Sequence, residues 1–259
     1  MSNFSFNTLQ NSIYEIYYDT PEYINKIIIC QSIIRKYICN KNNIFYCLKS
    51  KQITENFINE ISGFHLIHNN PITKSTWEYI NINIIKSTYE LTYSAKGQHL
   101  SGKDLTFNNW NISNKTCKCK NNNNISISSY RLTKVCDIKN HGISQNIINE
   151  INNRNKSFEY YSILLRKELN NIITYYWCII PENYYIFNVN KYNLICKYNK
   201  QNKVIGWQSK YYNIIFSMSS QLWFNFNFDD IKKYIVQSID ININNKLLTY
   251  ADINKLINL

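Results

Sequence analysis

Three residues around a short turn have the types and spacing needed to place a carboxylate, a hydroxyl and an ammonium group on one sheet surface. Asp104 precedes a run in which apolar and polar residues alternate, which predicts a strand with one buried face. After a turn at Asn108-Asn109, a second strand places Ser113 and Lys115 on the same face, because side chains two residues apart in a strand point the same way. A tight hairpin would therefore bring Asp104, Ser113 and Lys115 together.

This set of side chains suits phosphodiester hydrolysis. A carboxylate oxygen binds a hard cation such as Mg²⁺, and the cation polarises the phosphoryl group and lowers the pKa of a bound water. A lysine beside it stabilises the charge that develops on the attacking or departing oxygen. The pattern predicts a magnesium-dependent hydrolytic site with Asp104 as the ligand and Lys115 as the charge-stabilising group.

The motifs that carry these residues are Gly-x-His-x-Ser-Gly-x-Asp-Leu at 97–105, Ile-Ser-x-Lys-Thr at 112–116 and Ile-Ser-Ser-Tyr-Arg-Leu-Thr at 127–133. Together with the predicted hairpin, they resemble the PD-(D/E)XK nucleases and specifically a type II restriction endonuclease. The resemblance implies that Asp104 holds Mg²⁺ with the help of Glu90 on the preceding helix, and that Lys115 is the lysine of the motif. Ser113 stands where the family has a second acid, and it is expected to hydrogen-bond within the site.

The resemblance also implies an α/β fold, with a restriction-endonuclease-like core in which a central mixed β-sheet is flanked by helices. The expected order of core elements is helix, strand, strand, strand, helix, strand. We assign residues 76–190 to this core, residues 1–75 to an N-terminal helical region for packing or dimerisation, and residues 191–259 to C-terminal β-rich additions that could recognise DNA.

Hydrophobic periodicity, caps and turn signals predict the individual elements. The predicted helices are 20–38, 54–62 with Gly63 as its end, 75–95, 142–153, 229–238 and 251–259. The predicted strands are 104–107, 110–116, 125–131, 158–166, 172–180, 184–189, 194–198, 204–208, 211–218 and 222–226.

Hydroxyl, amide and basic side chains outside the hairpin are candidates for DNA contact. The loop before Asp104 and the strand at 125–131 offer hydroxyls and an arginine suited to positioning phosphates. The turn near residue 220 offers an amide that pairs bidentately with adenine. Loop capping, a polar strand face and an ordinary hairpin turn would each use the same residue types. The candidate DNA-binding residues are His99, Ser101, Lys103, Ser128, Ser129, Tyr130, Arg131, Ser219, Ser220 and Gln221.

The composition limits the class of protein. A formal net charge of +12 and a pI of about 9.2 suit a polyanionic partner such as DNA, although an AT-rich genome would produce the same excess of lysine. Eight cysteines without an evident secretion signal favour reduced thiols in an intracellular, cytoplasmic protein, and no apolar run is long enough to predict a membrane span. Five glycines are too few for a glycine-rich phosphate loop, which argues against nucleotide-hydrolysing and dinucleotide-binding classes.

The sequence therefore predicts a Mg²⁺-dependent, sequence-specific endonuclease that cuts double-stranded DNA. By the resemblance, we expect a homodimer, which matches a palindromic target, and a DNA methyltransferase encoded nearby. Two alternatives stay open. One is a repair or junction nuclease of the same fold without sequence preference, and the other is a non-catalytic nucleic-acid-binding protein whose site has decayed at Ser113.

Overall fold

The computed structural model describes residues 26, 28–34, 43–94, 102–120, 122–243, 247–249, 252 and 255. The chain divides into two units, Met1–Cys47 and Leu48–Leu259, and residues 28–34 of the first unit are helical. The further helices are α1 (Ile44–Leu48), α2 (Lys51–Ile67), α3 (Lys74–Lys86), α4 (Ser144–Asn155) and α5 (Phe228–Ile231). Within the described residues, no helix combines the length and the apolar character that crossing a bilayer would require.

The strands form two sheets. They are β1 (Leu91–Ser94), β2 (Leu105–Phe107), β3 (Trp110–Lys118), β4 (Asn124–Arg131), β5 (Tyr160–Leu169), β6 (Ile172–Pro181), β7 (Ile195–Tyr198), β8 (Val204–Gln208), β9 (Tyr212–Ile215), β10 (Gln221–Asn227) and β11 (Ile235–Asn242). The first sheet has the order β1-β2-β3-β5-β6-β11, and the second has the order β4-β10-β9-β8-β7.

The first sheet is mixed because β3 and β5 run parallel, whereas every other neighbouring pair in it is antiparallel. A parallel pair needs a crossover connection, and here β4 and α4 lie in that connection. The second sheet is antiparallel throughout. The coarse prediction of an α/β fold with a mixed sheet and flanking helices is confirmed.

One hydrophobic core lies between the two sheets and α4. It includes Ile163 of β5, Ile151 of α4, Ile127 of β4 and Phe224 of β10, and each of these side chains is buried. Since β4 and β10 alternate buried and half-buried residues, they present one apolar face to this core. The crossover between β3 and β5 is thereby anchored by packing at both of its elements.

Helices α2 and α3 pack against the other side of the first sheet. The ring of Trp177, on β6, stacks on Phe57 of α2 at a centroid distance of 5.8 Å and meets Trp77 of α3 edge-on at 5.5 Å. Side-chain caps begin both helices, because Ser50 accepts a hydrogen bond from Ile53 N, and Thr73 accepts one from Thr76 N. The two helices thus hold the sheet from the face opposite the main core.

Several predicted element boundaries are wrong. The helix predicted over 75–95 ends at Lys86, where the Ser87 hydroxyl bonds Ile84 O, and its second half contains strand β1 instead. Gly63 does not end the preceding helix, because α2 continues to Ile67. The strand predicted over 184–189 is a series of turns.

Two further corrections concern sheet membership. The strand at 125–131 is present as β4 and belongs to the second sheet, and a single antiparallel bridge between Cys119 and Ile125 connects its start to the residue that follows β3. The helix predicted over 229–238 is limited to α5 and one 3₁₀ turn, after which β11 completes the edge of the first sheet. The hairpins predicted at 194–208 and 211–226 are present. Most of the helices predicted at 20–38 and 251–259 falls outside the described residues.

Two glycine-to-alanine substitutions should have opposite effects on stability. A Cβ atom at Gly206, on β8, would lie 1.9 Å from Ile214 O on the paired strand, whereas a Cβ at Gly63 in α2 meets nothing within 4 Å. We expect Gly206→Ala to lower the free energy of unfolding by about 1–3 kcal/mol through overpacking. Gly63→Ala should raise it by about 0.5–1 kcal/mol, because alanine favours a helix interior over glycine. Urea denaturation of both variants checks this, and equal effects would contradict the β8–β9 pairing.

Candidate active site

The hairpin formed by β2 and β3 brings three polar side chains into direct contact, and we call Asp104, Ser113 and Lys115 the hairpin site. Ser113 Oγ donates to Asp104 Oδ2 at 3.3 Å, and Lys115 Nζ donates to Ser113 Oγ at 3.0 Å. The backbone N–H of Asn114 also donates to Asp104 Oδ2, at 2.5 Å. The carboxylate and the ammonium group predicted to converge on one sheet surface therefore meet on a single serine hydroxyl.

A two-asparagine turn sets the register of this hairpin. Asn108 and Asn109 have φ values of 46° and 67°, and both values lie in the left-handed region that asparagine tolerates better than most residues. Positive φ at both central residues is what a tight hairpin turn needs to match the twist of its strands. The turn pairs Phe107 with Trp110 and Leu105 with Ile112, which puts Asp104 next to Ser113.

The hairpin site is strongly buried at its lysine. The exposed fraction is 7% for Lys115 and 1% for Ser113, while Asp104 is half-buried. Lys115 pairs in register with Ile163, which belongs to the main core. Burial lowers the pKa of Lys115 to about 8, and the charge of Asp104 opposes that shift.

A second polar layer lies behind the hairpin site on the α3 side of β3. Asn81 Nδ2 donates to Asn114 Oδ1 at 2.5 Å and to Ser162 Oγ at 3.0 Å, and Trp177 Nε1 donates to the same serine at 2.9 Å. Asn81, Asn114 and Ser162 are completely buried. Because the backbone of Asn114 holds Asp104, this layer fixes the strand segment that positions the carboxylate.

The sequence interpretation missed this layer, although one signal for it was present. Asn81 lies four residues after Trp77, next to Ile80 and one turn before Ile84, so it occupies a polar position on an otherwise apolar helix face. A polar residue on a buried face needs a hydrogen-bonding partner. Ser162 gives a comparable signal, since it interrupts an apolar strand.

Glu90 is not placed where the resemblance implied. It lies after the end of α3, directly before β1, and its side chain is exposed. Among the described residues, no group of three or more His, Cys, Asp or Glu side chains is arranged to hold a metal ion. Asp104 is the one carboxylate of the hairpin site itself.

The predicted DNA-binding residues have varied environments. His99 and Ser101 lie outside the described residues, and the Lys103 ammonium group sits 4.4 Å above the centre of the Tyr93 ring. The Tyr130 hydroxyl lies 3.0 Å from both Ile151 O and Asn155 Oδ1, and its one proton can be donated to either acceptor, so it ties β4 to α4. Of these four residues, the structure thus describes Lys103 in a ring contact and Tyr130 in a hydrogen bond between two elements.

The remaining candidates lie on the second sheet. Ser128 and Ser129 are half-buried on β4, and Arg131 at its end is exposed. In the turn before β10, Ser220 is completely buried and donates to Cys136 O at 2.7 Å, whereas Ser219 is exposed. Gln221 is half-buried and pairs with Arg131 in register. Exposed side chains in this set are therefore Arg131 and Ser219.

The buried lysine gives a testable pH dependence of stability. In the unfolded chain the Lys115 ammonium group has its ordinary pKa near 10.5, and folding lowers that pKa to about 8. The folded state then binds fewer protons than the unfolded state between these values, so stability rises with pH across that window. The difference in the free energy of unfolding between wild type and Lys115→Met should shift in favour of wild type by roughly 3 kcal/mol between pH 8 and 10.5. Urea denaturation at a series of pH values checks this, and a flat difference would mean that Lys115 is not desolvated.

The contact between Asp104, Ser113 and Lys115 is a property of this chain's own hairpin, fixed by the asparagine turn and by the buried layer behind β3. Comparison of the chain with protein-family models, with curated proteins and with solved structures found no match. The chemistry of the hairpin site is therefore inferred from its own contacts.

Proposed function

We propose that the chain is a Mg²⁺-dependent DNA endonuclease of the type II restriction class, with the hairpin site as its active site. The observation that carries the proposal is the convergence of Asp104 and Lys115, from adjacent strands, on the hydroxyl of Ser113. A carboxylate and a lysine with a pKa lowered to about 8, held together in a partly buried position, are suited to acid–base and electrostatic work on a phosphodiester.

The residues present fit a weakly held cation. Asp104 Oδ2 already accepts hydrogen bonds from Ser113 and Asn114, while none of the hydrogen bonds in the described part of the chain reaches Oδ1. Mg²⁺ is commonly held by one or two carboxylates together with waters and substrate phosphates, so Asp104 Oδ1 is the natural protein ligand. When bound, the cation would polarise the scissile phosphate and lower the pKa of a water.

The other two residues of the hairpin site have different roles. Lys115 in its ammonium form would stabilise negative charge on the phosphate or on the departing oxygen, and its lowered pKa lets it give up a proton there. Ser113 accepts a hydrogen bond from Lys115 and donates one to Asp104, which keeps the ammonium group and the carboxylate in one geometry. Ser113 thus serves as a positioning residue in the place of the second acid.

The order of elements supports a restriction-endonuclease-like core. Helix α3, strands β1, β2 and β3, helix α4 and strand β5 follow one another, with β4 inserted before α4. The resemblance implies three strands between these two helices, expected at 104–107, 110–116 and 125–131, and the chain has four because β1 also forms. In the proposal, duplex DNA is the substrate, two copies of the chain act on the two strands, and a DNA methyltransferase protects the host genome. The net charge of +12 suits such a polyanionic substrate.

Digestion of unmethylated DNA tests the proposal. We expect wild-type protein with Mg²⁺ to give discrete fragments, and Asp104→Asn to give none, because the substitution removes the anionic ligand while keeping its shape. Asp240→Asn, at an exposed carboxylate on β11, is the matched control and should cut normally. Sequencing the fragment ends would give the recognition site, whereas a smear or structure-dependent nicking would favour a repair or junction nuclease.

A second candidate function is non-catalytic nucleic-acid binding. It is favoured by two observations: a serine, Ser113, stands where the resemblance implies an acid, and the described residues contain no cluster of three metal-binding side chains. Protein that binds DNA but cuts no unmethylated genome in Mg²⁺ or Mn²⁺ would establish this function instead.

A further inference from the structure

Tyrosines from four separate segments form a continuous series of ring contacts in the unit Leu48–Leu259. We call this series the tyrosine row, and it consists of Tyr192, Tyr211, Tyr185, Tyr184 and Tyr234. Successive centroid distances are 5.0 Å for Tyr192–Tyr211, 5.6 Å for Tyr211–Tyr185, 4.5 Å for Tyr185–Tyr184 and 4.9 Å for Tyr184–Tyr234. All five residues are half-buried, and they also pack against the main hydrophobic core.

Two exposed lysines lie over this row. Lys210 Nζ is 4.9 Å from the centre of the Tyr211 ring, and Lys233 Nζ is 5.0 Å from the Tyr184 ring and 5.1 Å from the Tyr234 ring. Among the residues that the structure describes, neither lysine forms an ion pair with a carboxylate, whereas the adjacent Lys232 is paired with Asp229 at 2.5 Å. The row therefore combines aromatic surface with two positive charges that are not engaged in ion pairs within the described chain.

Hydrogen bonds fix the middle of the row without using these lysines. The Tyr184 hydroxyl donates to Asp230 O at 2.8 Å, and the Tyr185 hydroxyl donates to Asp230 Oδ1 at 3.2 Å. Asp230 is itself held by the capping box of α5, where its Oδ2 accepts from Asn227 N. The central rings are thus held in place before any ligand arrives, which reduces the entropy cost of binding.

We propose that the tyrosine row binds single-stranded nucleic acid. Unpaired bases stack on aromatic rings irrespective of sequence, and lysine ammonium groups beside the rings contact the phosphates between those bases. A duplex keeps its base faces stacked inside, so duplex DNA would use the two lysines but not the rings. This site shares no residue with the hairpin site, and its occupation does not require cleavage.

Fluorescence anisotropy with labelled oligothymidylate and oligouridylate, in EDTA, tests the proposal. We expect Tyr211→Leu to weaken binding on the order of tenfold, because the base can no longer stack on an aromatic ring, and Tyr211→Phe to retain binding. Lys210→Gln combined with Lys233→Gln should reduce the slope of log Kd against log salt by about 0.7 for each phosphate that the lysines no longer neutralise. Circular dichroism melting of each variant shows whether it is folded. If Tyr211→Leu does not fold, Tyr211→Phe still tests the proposal, because it should bind single strands as wild type does.

The matched controls are Tyr198→Leu, at an exposed tyrosine outside the row, and Lys200→Gln, at an exposed lysine. Neither should change affinity. The proposal is overturned if single strands bind no better than a duplex of equal length, or if folded Tyr211→Leu binds as wild type does. Asp104→Asn distinguishes this site from the proposed nuclease function, since it should bind single strands normally even if no variant ever cuts DNA.

Discussion

Replacing Lys115 with methionine is expected to reduce the rate of DNA cleavage on the order of 10²–10³-fold, which is typical for the loss of one preorganised charge-stabilising group. Methionine is similar in length to the lysine side chain but has neither charge nor donor, so the hydrogen bond to Ser113 Oγ and the positive charge beside Asp104 disappear together. Single-turnover cleavage of a DNA fragment containing the recognition site measures the chemical step directly.

Lys118→Met is the matched control for this experiment. Lys118 is at the exposed end of the same strand, where its ammonium group is paired with Glu168 rather than with the hairpin site. It should cut at close to the wild-type rate. A Lys115→Met variant that keeps full activity would remove Lys115 from the chemistry, even if Asp104→Asn is inactive.

The stability of the Lys115→Met variant is a second property to measure. Since burial lowers the pKa of Lys115, the folded protein carries a cost for keeping an ammonium group there at neutral pH. A variant that is less active and more stable would show that the chain retains this lysine for function at the expense of stability, as is common in active sites.

Trp177→Ala should be among the most destabilising single substitutions in the Leu48–Leu259 unit, at about 3–5 kcal/mol. The side chain is completely buried, packs against Phe57 and Trp77, and donates to Ser162 Oγ. Alanine would leave a large cavity between the sheet and the helices α2 and α3, and it would remove a partner from a buried hydroxyl. Equilibrium urea denaturation gives the change in the free energy of unfolding.

Two comparisons make this result specific. Trp110→Ala, at a half-buried tryptophan in β3, should cost clearly less than Trp177→Ala. Trp177→Phe keeps most of the packing but loses the indole N–H. Its free energy of unfolding should therefore lie between those of wild type and Trp177→Ala. If Trp177→Ala lowered the free energy of unfolding by less than about 1 kcal/mol, the result would be incompatible with close packing at this position.

Sequence periodicity is sufficient to predict the hairpin that carries the candidate site. Alternation after Asp104, the pair Asn108-Asn109 and alternation from Trp110 onward are all local signals, and a two-residue turn leaves little freedom in how its strands pair. The contact of Asp104 and Lys115 through Ser113 follows from that local geometry. The hairpins at 194–208 and 211–226 are predictable for the same reason.

Sheet membership cannot be derived in this way. A half-apolar strand such as β4 can pair with any free edge, and the choice of β10 rather than the Asp104 hairpin depends on packing between elements far apart in the chain. The local pattern over 229–238 predicts a helix, yet the chain turns into a strand at Ile235, and the β-branched residues Ile239 and Ile241 help to complete the sheet edge beside β6. Tertiary pairing decides both cases.

The residue types and spacing of Asp104, Ser113 and Lys115 were determined by the sequence alone, and with them the class of chemistry that these side chains could perform. Only the tertiary structure decided the electrostatic state of Lys115, because its lowered pKa arises from burial beside Ile163 on a strand that is distant in sequence. The same holds for the buried hydrogen bonds of Asn81, Asn114 and Ser162, which join a helix to two parallel strands. Local patterns fix which side chains share a face, whereas desolvation and long-range hydrogen bonds depend on what finally covers that face.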